Sequence, residues 1–300
     1  MKSKKIIAII YAVLAAIFYA INMPVSKILI QNIEPTMMAA LLYLGAGFGI
    51  GIMFFVNHPK ESKEELLGKS DLPYTIGMIV LDIIAPIFLM FGLLNTTSAN
   101  ASLLNNFEIV ATSIVAFAIF KEMISGRLWI SILLVILSSA ILSFENIMSL
   151  QFSWGSGLVL LAALCWGLEN NCTRAISSKN TFQIVMLKGV FSGLGSLIIA
   201  CFIGEKLPGV GLTLLALLLG FVAYGLSIYY YIKAQNVLGA AKTSAYYAIA
   251  PFVGAFLSFL LLKETLTTRY FVALIIMILG SIGIVWDTLT VHHKHVHTNN

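Results

Sequence analysis

Ten apolar runs, each about the length of a membrane-crossing helix, follow one another along the chain. A helix needs about 20 predominantly apolar residues to cross the roughly 30 Å hydrocarbon core of a bilayer. The sequence therefore predicts an all-α integral membrane protein with ten transmembrane helices. The predicted spans are residues 6–30, 36–56, 72–94, 98–120, 128–147, 153–175, 181–203, 210–234, 240–262 and 270–287.

The composition excludes most soluble proteins. Charged residues make up 10% of the chain and hydrophobic residues 59%, whereas a soluble domain carries about 25% charged residues. So few charges cannot cover a water-facing surface, and so much apolar surface cannot remain disordered in water. The sequence contains no P-loop, zinc-protease or hydrolase motif. We therefore predict that the protein is not an enzyme, needs no cofactor and does not itself hydrolyse ATP.

The distribution of Lys and Arg predicts the orientation. With the N-terminus in the cytoplasm, thirteen of the 18 basic residues lie on the cytoplasmic side, three lie outside, and Lys27 and Lys188 lie within spans. Cytoplasmic loops carry such an excess, so the net charge of +5 indicates membrane topology and no nucleic-acid partner. An even number of spans places both termini in the cytoplasm. The His-rich tail at 291–300 has no neighbouring carboxylate or cysteine in sequence, so we predict no metal site there.

The chain also repeats itself with an offset near 142 residues. Residues 1–150 and 151–290 would each form a five-helix repeat, and because five is odd the two repeats enter the membrane in opposite senses. An inverted repeat of this kind places a pseudo-two-fold axis in the membrane plane. The matching positions are Lys121, Glu122 and Arg127 with Lys263, Glu264 and Arg269; Ser102 with Ser244; Gly47 and Gly51 with Gly189 and Gly193; Asp82 with Tyr224; Asn105 with Tyr247; and, at an offset of 147, Tyr19 and Asn22 with Trp166 and Glu169.

Three short motifs resemble those of a known transporter family. Residues 18–27, Phe-Tyr-Ala-Ile-Asn-Met-Pro-Val-Ser-Lys, resemble the aromatic-small-x-Asn motif of a first EamA repeat, and Leu-Cys-Trp-Gly at 164–167 resembles its counterpart in the second. The Lys-Glu turns at 121–122 and 263–264 resemble the family's Glu-containing turn. The whole chain thus resembles the EamA type of the drug/metabolite transporter superfamily. That resemblance implies a secondary transporter of metabolites, often directed outward.

Small residues and prolines predict how the helices pack and bend. The GxxxG pairs at 47–51 and 189–193 are typical of closely packed membrane helices. Pro24, Pro86 and Pro251 lie inside predicted spans, where each removes a backbone donor and can bend its helix.

Two glutamates stand at predicted helix starts. Glu122 and Glu264 each precede a predicted span. A carboxylate suits the positive end of a helix dipole, so we predict that both are structural caps.

Polar side chains at mid-bilayer depth are the candidate site. Charged groups there are costly and are functional candidates by default. Helices 1, 3, 4, 6, 8 and 9 would supply acids and amides from one side and tyrosines from the other, whereas helices 5 and 10 would stay outside the cavity. The predicted substrate-binding residues are Asn22, Asp82, Asn105, Glu108, Glu169, Tyr224 and Tyr247. An alternative is that Asp82 or Glu108 forms a buried structural bridge with Lys188.

We therefore predict an exporter of small polar or amphipathic metabolites such as amino acids, working by alternating access across the cytoplasmic membrane. An acid-lined, aromatic-rich cavity suits an ammonium group. The alternatives are a transporter of choline-like or polyamine-like organic cations, and a lipid-linked flippase or partner subunit. The expected partners are a small-molecule substrate and the lipid bilayer, with protons as a candidate coupling ion through Glu108 or Asp82. The chain would act as a monomer or homodimer.

Overall fold

A computed structural model describes the backbone of residues 2–57, 66–120, 125–146, 151–238, 243 and 246–297. The described chain is helical apart from its connections and two short antiparallel strands, Phe144–Asn146 and Gln151–Phe152. A π-helical segment, Phe221–Leu226, joins the helices Val210–Gly220 and Ser227–Leu238 without a gap. The α-helices are α1 Lys2–Ala20, α2 Asn22–Leu29, α3 Pro35–Asn57, α4 Leu72–Leu94, α5 Ser98–Leu104, α6 Phe107–Phe120, α7 Gly126–Ser143, α8 Trp154–Ile176, α9 Thr181–Phe202, α10 Val210–Gly220, α11 Ser227–Leu238, α12 Ala250–Leu262 and α13 Thr268–His297.

Within the described residues, seven helical segments are long and apolar enough to cross a membrane. They are Lys4–Leu29, Pro35–Val56, Lys69–Leu94, Gly126–Ser143, Thr181–Phe202, Val210–Leu238 and Thr268–Asp287. The other three predicted spans also contain helix, but each is interrupted, polar or described only in part.

The three remaining spans fall outside those seven for different reasons. The span at 98–120 breaks at Asn105 and Asn106 into α5 and α6. The span at 153–175 is the continuous helix α8, whose second half carries consecutive polar residues at 169–171. Of the span at 240–262, the part described as continuous helix is α12.

Prolines account for two of the helix breaks. A proline cannot donate to the carbonyl four residues before it and clashes with that carbonyl. Pro24 lies four residues after Ala20, where α1 ends, and Pro251 lies second in α12, just after the turn at 248–249. Pro86 is different, because α4 continues through it, and the carbonyl that loses its usual donor belongs to Asp82.

The predicted close packing of the GxxxG helices is confirmed. Helices α3 and α9 cross so tightly that a Cβ atom added to Gly47 would lie 2.4 Å from the Val190 backbone nitrogen. One added to Gly189 would lie 2.3 Å from the Gly47 backbone nitrogen. Gly47 and Gly189 are equivalent positions of the sequence repeat, so two matching positions meet each other at the centre of the molecule.

Helix neighbours in the first half match helix neighbours in the second. Helix α4 packs against α8, as α1 packs against α11; α6 packs against α8, as α1 packs against α12. The contact of α3 with α10 likewise corresponds to that of α4 with α9. Helices α7 and α13, the last of each half, pack against each other. Exchanging the two halves therefore reproduces the packing arrangement.

Carboxylates from distant parts of the chain cap helix N-termini. The Glu264 carboxylate accepts hydrogen bonds from the backbone nitrogens of Ser98 at 2.7 Å and Ala99 at 2.9 Å. Glu205 accepts in the same way from Met37 at 2.6 Å, at the start of α3. Glu264 is thus a cap, but of α5 and not of α13, the helix that it precedes in sequence. Its predicted counterpart Glu122 lies outside the described residues.

The last helix extends beyond the last apolar run. Helix α13 continues as backbone helix to His297, past the predicted end of the span at residue 287. The side chains of residues 288–297 are outside the described part of the chain, so the prediction about its histidines stays a prediction.

Candidate functional site

A buried lysine joins two carboxylates at the centre of the helix bundle. The Lys188 Nζ atom of α9 lies 3.0 Å from Asp82 Oδ2 of α4 and 2.9 Å from Glu169 Oε1 of α8. The exposed fractions are 0% for Asp82, 2% for Glu169 and 5% for Lys188. We call Asp82, Lys188 and Glu169 the charged triad. Ion pairs withdrawn from solvent are stable only when further hydrogen bonds satisfy the charged atoms.

Neutral donors supply those further hydrogen bonds. The Tyr43 hydroxyl of α3 donates to Asp82 Oδ1 at 2.7 Å, and the Trp166 indole nitrogen donates to the Tyr43 oxygen at 3.4 Å. The Thr173 hydroxyl, one turn along α8, donates to Glu169. The triad is therefore held by groups from four helices, α3, α4, α8 and α9.

A neutral pair occupies the equivalent place in the other half. The Asn22 amide of α2 donates to the Tyr224 hydroxyl of the π-helical segment at 3.2 Å, and both side chains are buried. The Ser26 hydroxyl, one turn along α2, donates to Asn22 Oδ1 at 2.9 Å. We call Asn22 and Tyr224 the neutral pair. π-Helical insertions such as the one that carries Tyr224 are frequent at functional sites.

Glu108 lies apart from the triad and has amide partners. The Asn170 amide donates to Glu108 Oε1 at 2.7 Å, and the Asn105 amide lies 3.4 Å from Glu108 Oε2. Among the described residues, no Lys or Arg lies within salt-bridge distance of Glu108. Its side chain is half-buried, whereas both acids of the triad are buried. Glu108 is thus the least buried of the three acidic residues of the site.

Tyrosine rings connect Tyr224 of the neutral pair to Tyr247 and to Tyr43. The Tyr19 ring centroid lies 6.0 Å from that of Tyr224 and 5.9 Å from that of Tyr247. The Tyr43 ring lies 5.1 Å from Tyr224, so the same tyrosines also reach the charged triad. Tyr19 and Tyr247 are half-buried, like Glu108.

All seven predicted residues fall into this one connected arrangement, although whether they bind a substrate remains a prediction. The alternative of a bridge to Lys188 applies to Asp82, and Glu169 shares that bridge, whereas Glu108 does not take part in it. Tyr43 and Lys188, which contact Asp82, come from α3 and α9, the second span of each half, and neither span was among those predicted to contribute.

Tyr43 is the participant that sequence reasoning missed. The available signal was a single tyrosine in the middle of an otherwise apolar span, four residues before Gly47. Tyr19 and Trp166 are predicted repeat positions, and Asn170 follows Glu169 in sequence, but none of the three was predicted to belong to the site.

The arrangement is suited to binding a polar, positively charged group. Three carboxylates and one ammonium group meet at the centre, so the described charges sum to an excess of acid. Aromatic faces and carboxylates both attract cations, most strongly where water is excluded. Within the described residues, no group of three His, Cys, Asp or Glu side chains is arranged to hold a metal ion.

Comparison with known proteins yields relatives over nearly the full length. An "Uncharacterized transporter" of Methanothermobacter thermautotrophicus is 26% identical over 298 residues, covering 91% of this chain and 84% of the relative. A protein of known crystal structure superimposes with a TM-score of 0.67 at 14% identity, covering 94% of this chain and 98% of the other. That second likeness concerns the fold alone.

The sequence model of the EamA-like transporter family matches residues 6–144 and 153–286, which is most of the chain. The gap between the two matched segments, residues 145–152, falls in the connection between α7 and α8. Family membership points to a membrane transporter rather than an enzyme, in a lipid bilayer and with a small-molecule substrate. The chain belongs to the EamA-like transporter family.

Proposed function

We propose that the protein is a secondary transporter that moves a small polar or amphipathic metabolite across the cytoplasmic membrane by alternating access. The observation that carries this proposal is the polar centre between the two halves, formed by the charged triad, the neutral pair and Glu108. A site on the axis between two oppositely inserted repeats can be reached from either side as the halves rock against each other.

Ten membrane spans, arranged as two inverted five-helix repeats, are part of the same proposal. The matched helix neighbours of the two halves and the meeting of Gly47 with Gly189 support it. Both termini would lie in the cytoplasm, as the distribution of Lys and Arg indicates.

Cysteine labelling tests this orientation. Single cysteines at Lys206 and at Ser62, in a background without the three native cysteines, are treated with a membrane-impermeant thiol reagent on intact cells. Position 206 should react from outside, whereas position 62 should react only after the membrane is opened. The reverse pattern would overturn the orientation.

The substrate would carry an ammonium group, as amino acids and organic cations do, and transport would be outward. The excess of carboxylates and the tyrosine faces at the centre support this choice. A lipid-linked flippase would need a basic site for an anionic headgroup, and Lys188 already binds two carboxylates. Protons are the candidate coupling ion, carried by Glu108 or Asp82.

Transport assays with purified protein in sealed vesicles test the function. A panel of labelled amino acids, amines and quaternary ammonium compounds is offered with and without a proton gradient. We expect saturable transport of at least one member by the wild type and its loss in Glu108→Gln. Transport of none of these classes would overturn the proposal, and transport that ignores the gradient would remove proton coupling from it.

A further inference from the structure

The three central carboxylates differ in what they can bind, and this difference bears on the substrate. Resting on the proposed function, we propose that the substrate is an amine or quaternary ammonium cation without a carboxylate, bound at Glu108 beside the rings of Tyr19 and Tyr247. Zwitterionic amino acids would then be poor substrates.

The first argument concerns Lys188, the ammonium group at the centre. Its Nζ atom contacts Asp82 and Glu169 at 3.0 Å and 2.9 Å, and the side chain is 5% exposed. To bind the carboxylate of an amino acid, Lys188 would have to give up at least one of these partners. A buried charge that loses its partner is strongly unfavourable. The triad therefore offers no free cation to the acidic end of a zwitterion.

The second argument concerns Glu108. The residue is half-buried, and its carboxylate accepts from the amides of Asn170 and Asn105, which are neutral donors. Neutral hydrogen bonds orient a carboxylate without cancelling its charge. A cation that reaches Glu108 therefore gains a charge partner without displacing one.

The third argument comes from Asn105, at the break between α5 and α6. Its side chain is 4% exposed, and its Oδ1 atom has no hydrogen-bond partner among the described residues. Because its amide nitrogen lies 3.4 Å from Glu108, the unpaired oxygen belongs to the same small region. A buried acceptor without a donor is unfavourable. The N–H group of a protonated amine would satisfy this oxygen and pair with Glu108 at once, so this argument applies to amines and not to quaternary ammonium cations.

The fourth argument is aromatic. Glu108 is close enough to the hydroxyl groups of Tyr19, Tyr224 and Tyr247 to interact with them electrostatically. The rings of Tyr19 and Tyr247 lie 5.9 Å apart at an angle of 42°, and both are half-buried. A cation near an aromatic face is stabilised, and quaternary ammonium groups are recognised in this way. An acid beside tilted tyrosine rings thus suits the cationic end of a small amine.

The total charge favours the same class of substrate. The described centre holds three carboxylates and one ammonium group, so a monovalent cation reduces the imbalance. A zwitterion leaves it unchanged and brings a fourth carboxylate among the other three. The electrostatic penalty of that carboxylate rises as water is excluded from the closed site.

Matched ligand pairs test the proposal, each pair differing mainly by a carboxylate. We would measure binding of tyramine and tyrosine, isoamylamine and leucine, and choline and glycine betaine to the purified full-length protein in nanodiscs. The cation of at least one pair should bind about tenfold or more tightly than its carboxylated partner. Glu108→Gln should reduce that binding about tenfold or more, and Glu108→Asp should retain part of it. Asp71→Asn, which changes a carboxylate at the start of α4, should leave binding unchanged.

The outcomes separate this proposal from the transport function. Equal or tighter binding of the carboxylated members would overturn the cation assignment, while transport of those amino acids would uphold the transporter. Absence of binding by all three cations would also overturn it, as would unchanged cation binding in a folded Glu108→Gln variant. Thermal unfolding of each variant shows whether a loss of binding reflects a loss of fold.

Discussion

The charged triad and the neutral pair occupy equivalent places in the two halves but use different chemistry. Glu169 corresponds to Asn22, and Asp82 corresponds to Tyr224. In both places a hydroxyl one turn further along the helix donates to the first residue, from Thr173 to Glu169 and from Ser26 to Asn22. The shared geometry therefore does not depend on charge.

The difference between the two places is the lysine. The position equivalent to Lys188 is Ala46, which is buried, and the neutral pair closes directly through a 3.2 Å hydrogen bond. The scaffold can thus join these helices with one uncharged contact. Since a neutral solution exists in the same molecule, we infer that the charges of the triad serve recognition or coupling more than they serve the fold.

The largest effect is expected when only the lysine of the charged triad is replaced. Lys188→Met leaves Asp82 and Glu169 buried without their counter-ion, and breaking a buried ion pair costs about 3–5 kcal/mol. We expect a marked loss of thermal stability in nanodiscs and a loss of transport.

A triple variant is the control for that experiment. Lys188→Met combined with Asp82→Asn and Glu169→Gln removes every charge of the triad and should recover most of the lost stability, because replacing a whole buried ion pair is often nearly neutral. Equal stability of the single variant and the wild type would show that the triad is not a coupled unit.

The second-largest effect is expected at Glu108, which belongs neither to the charged triad nor to the neutral pair. Glu108→Gln should reduce transport about tenfold or more, which corresponds to at least about 1.4 kcal/mol. The reason is that this half-buried acid has amide partners and, among the described residues, no Lys or Arg within salt-bridge distance. Glu122→Gln is the matched control, since Glu122 is predicted to lie at a cytoplasmic turn. The transport rate of this variant should stay near that of the wild type. Equal losses in two folded variants would remove Glu108 from the binding site.

Protection of single cysteines by substrate should give a smaller effect, and it shows which residues face the cavity. Single cysteines at 105, 224 and 247 should be shielded by substrate from a small thiol reagent, with rates reduced about threefold or more. Cysteines at 133 and 275, on α7 and α13, are controls, because Leu133 and Ile275 are 60% and 59% exposed on helices outside the site. Shielding of the controls alone would contradict the cavity assignment.

The smallest effect is expected in the neutral pair. Tyr224→Phe removes the hydroxyl that accepts from Asn22, and one neutral hydrogen bond contributes about 0.5–1.5 kcal/mol. Unfolding measurements should therefore show a loss well below that of Lys188→Met. A loss of stability as large as that of Lys188→Met would mean that the neutral pair stabilises the fold as much as the charged triad does.

Much of the fold was predictable because apolar length and periodic matches are local properties of a sequence. The ten predicted spans all contain helix, and the contact between Gly47 and Gly189 follows from two GxxxG motifs at equivalent positions. The breaks at Pro24 and Pro251 were predicted as bends. The break at Asn105 and Asn106 was not, since neither residue excludes a helical backbone.

The partners of the site residues were harder to predict. The sequence placed Lys188 within a span, but choosing its partners among three acids requires the rotation of each helix about its axis. That rotation is fixed by packing, such as the close contact of α3 with α9, and not by the residue itself. For the same reason Glu264 was predicted to cap the helix that follows it in sequence. It caps α5 instead, and its backbone donor at Ser98 lies 166 residues away in sequence.

That distance has a consequence for biosynthesis. When the first five helices leave the ribosome, α5 has no carboxylate at its N-terminus, and Asp82 has no lysine, because Glu264 and Lys188 have not yet been made. Until those residues are made, the first half has an uncapped helix end and an acid without its lysine partner. The packing of α9 along α3 and the cap formed by Glu264 can therefore form only after the second half has been synthesised. The second half thus supplies both the counter-ion of Asp82 and the cap of α5.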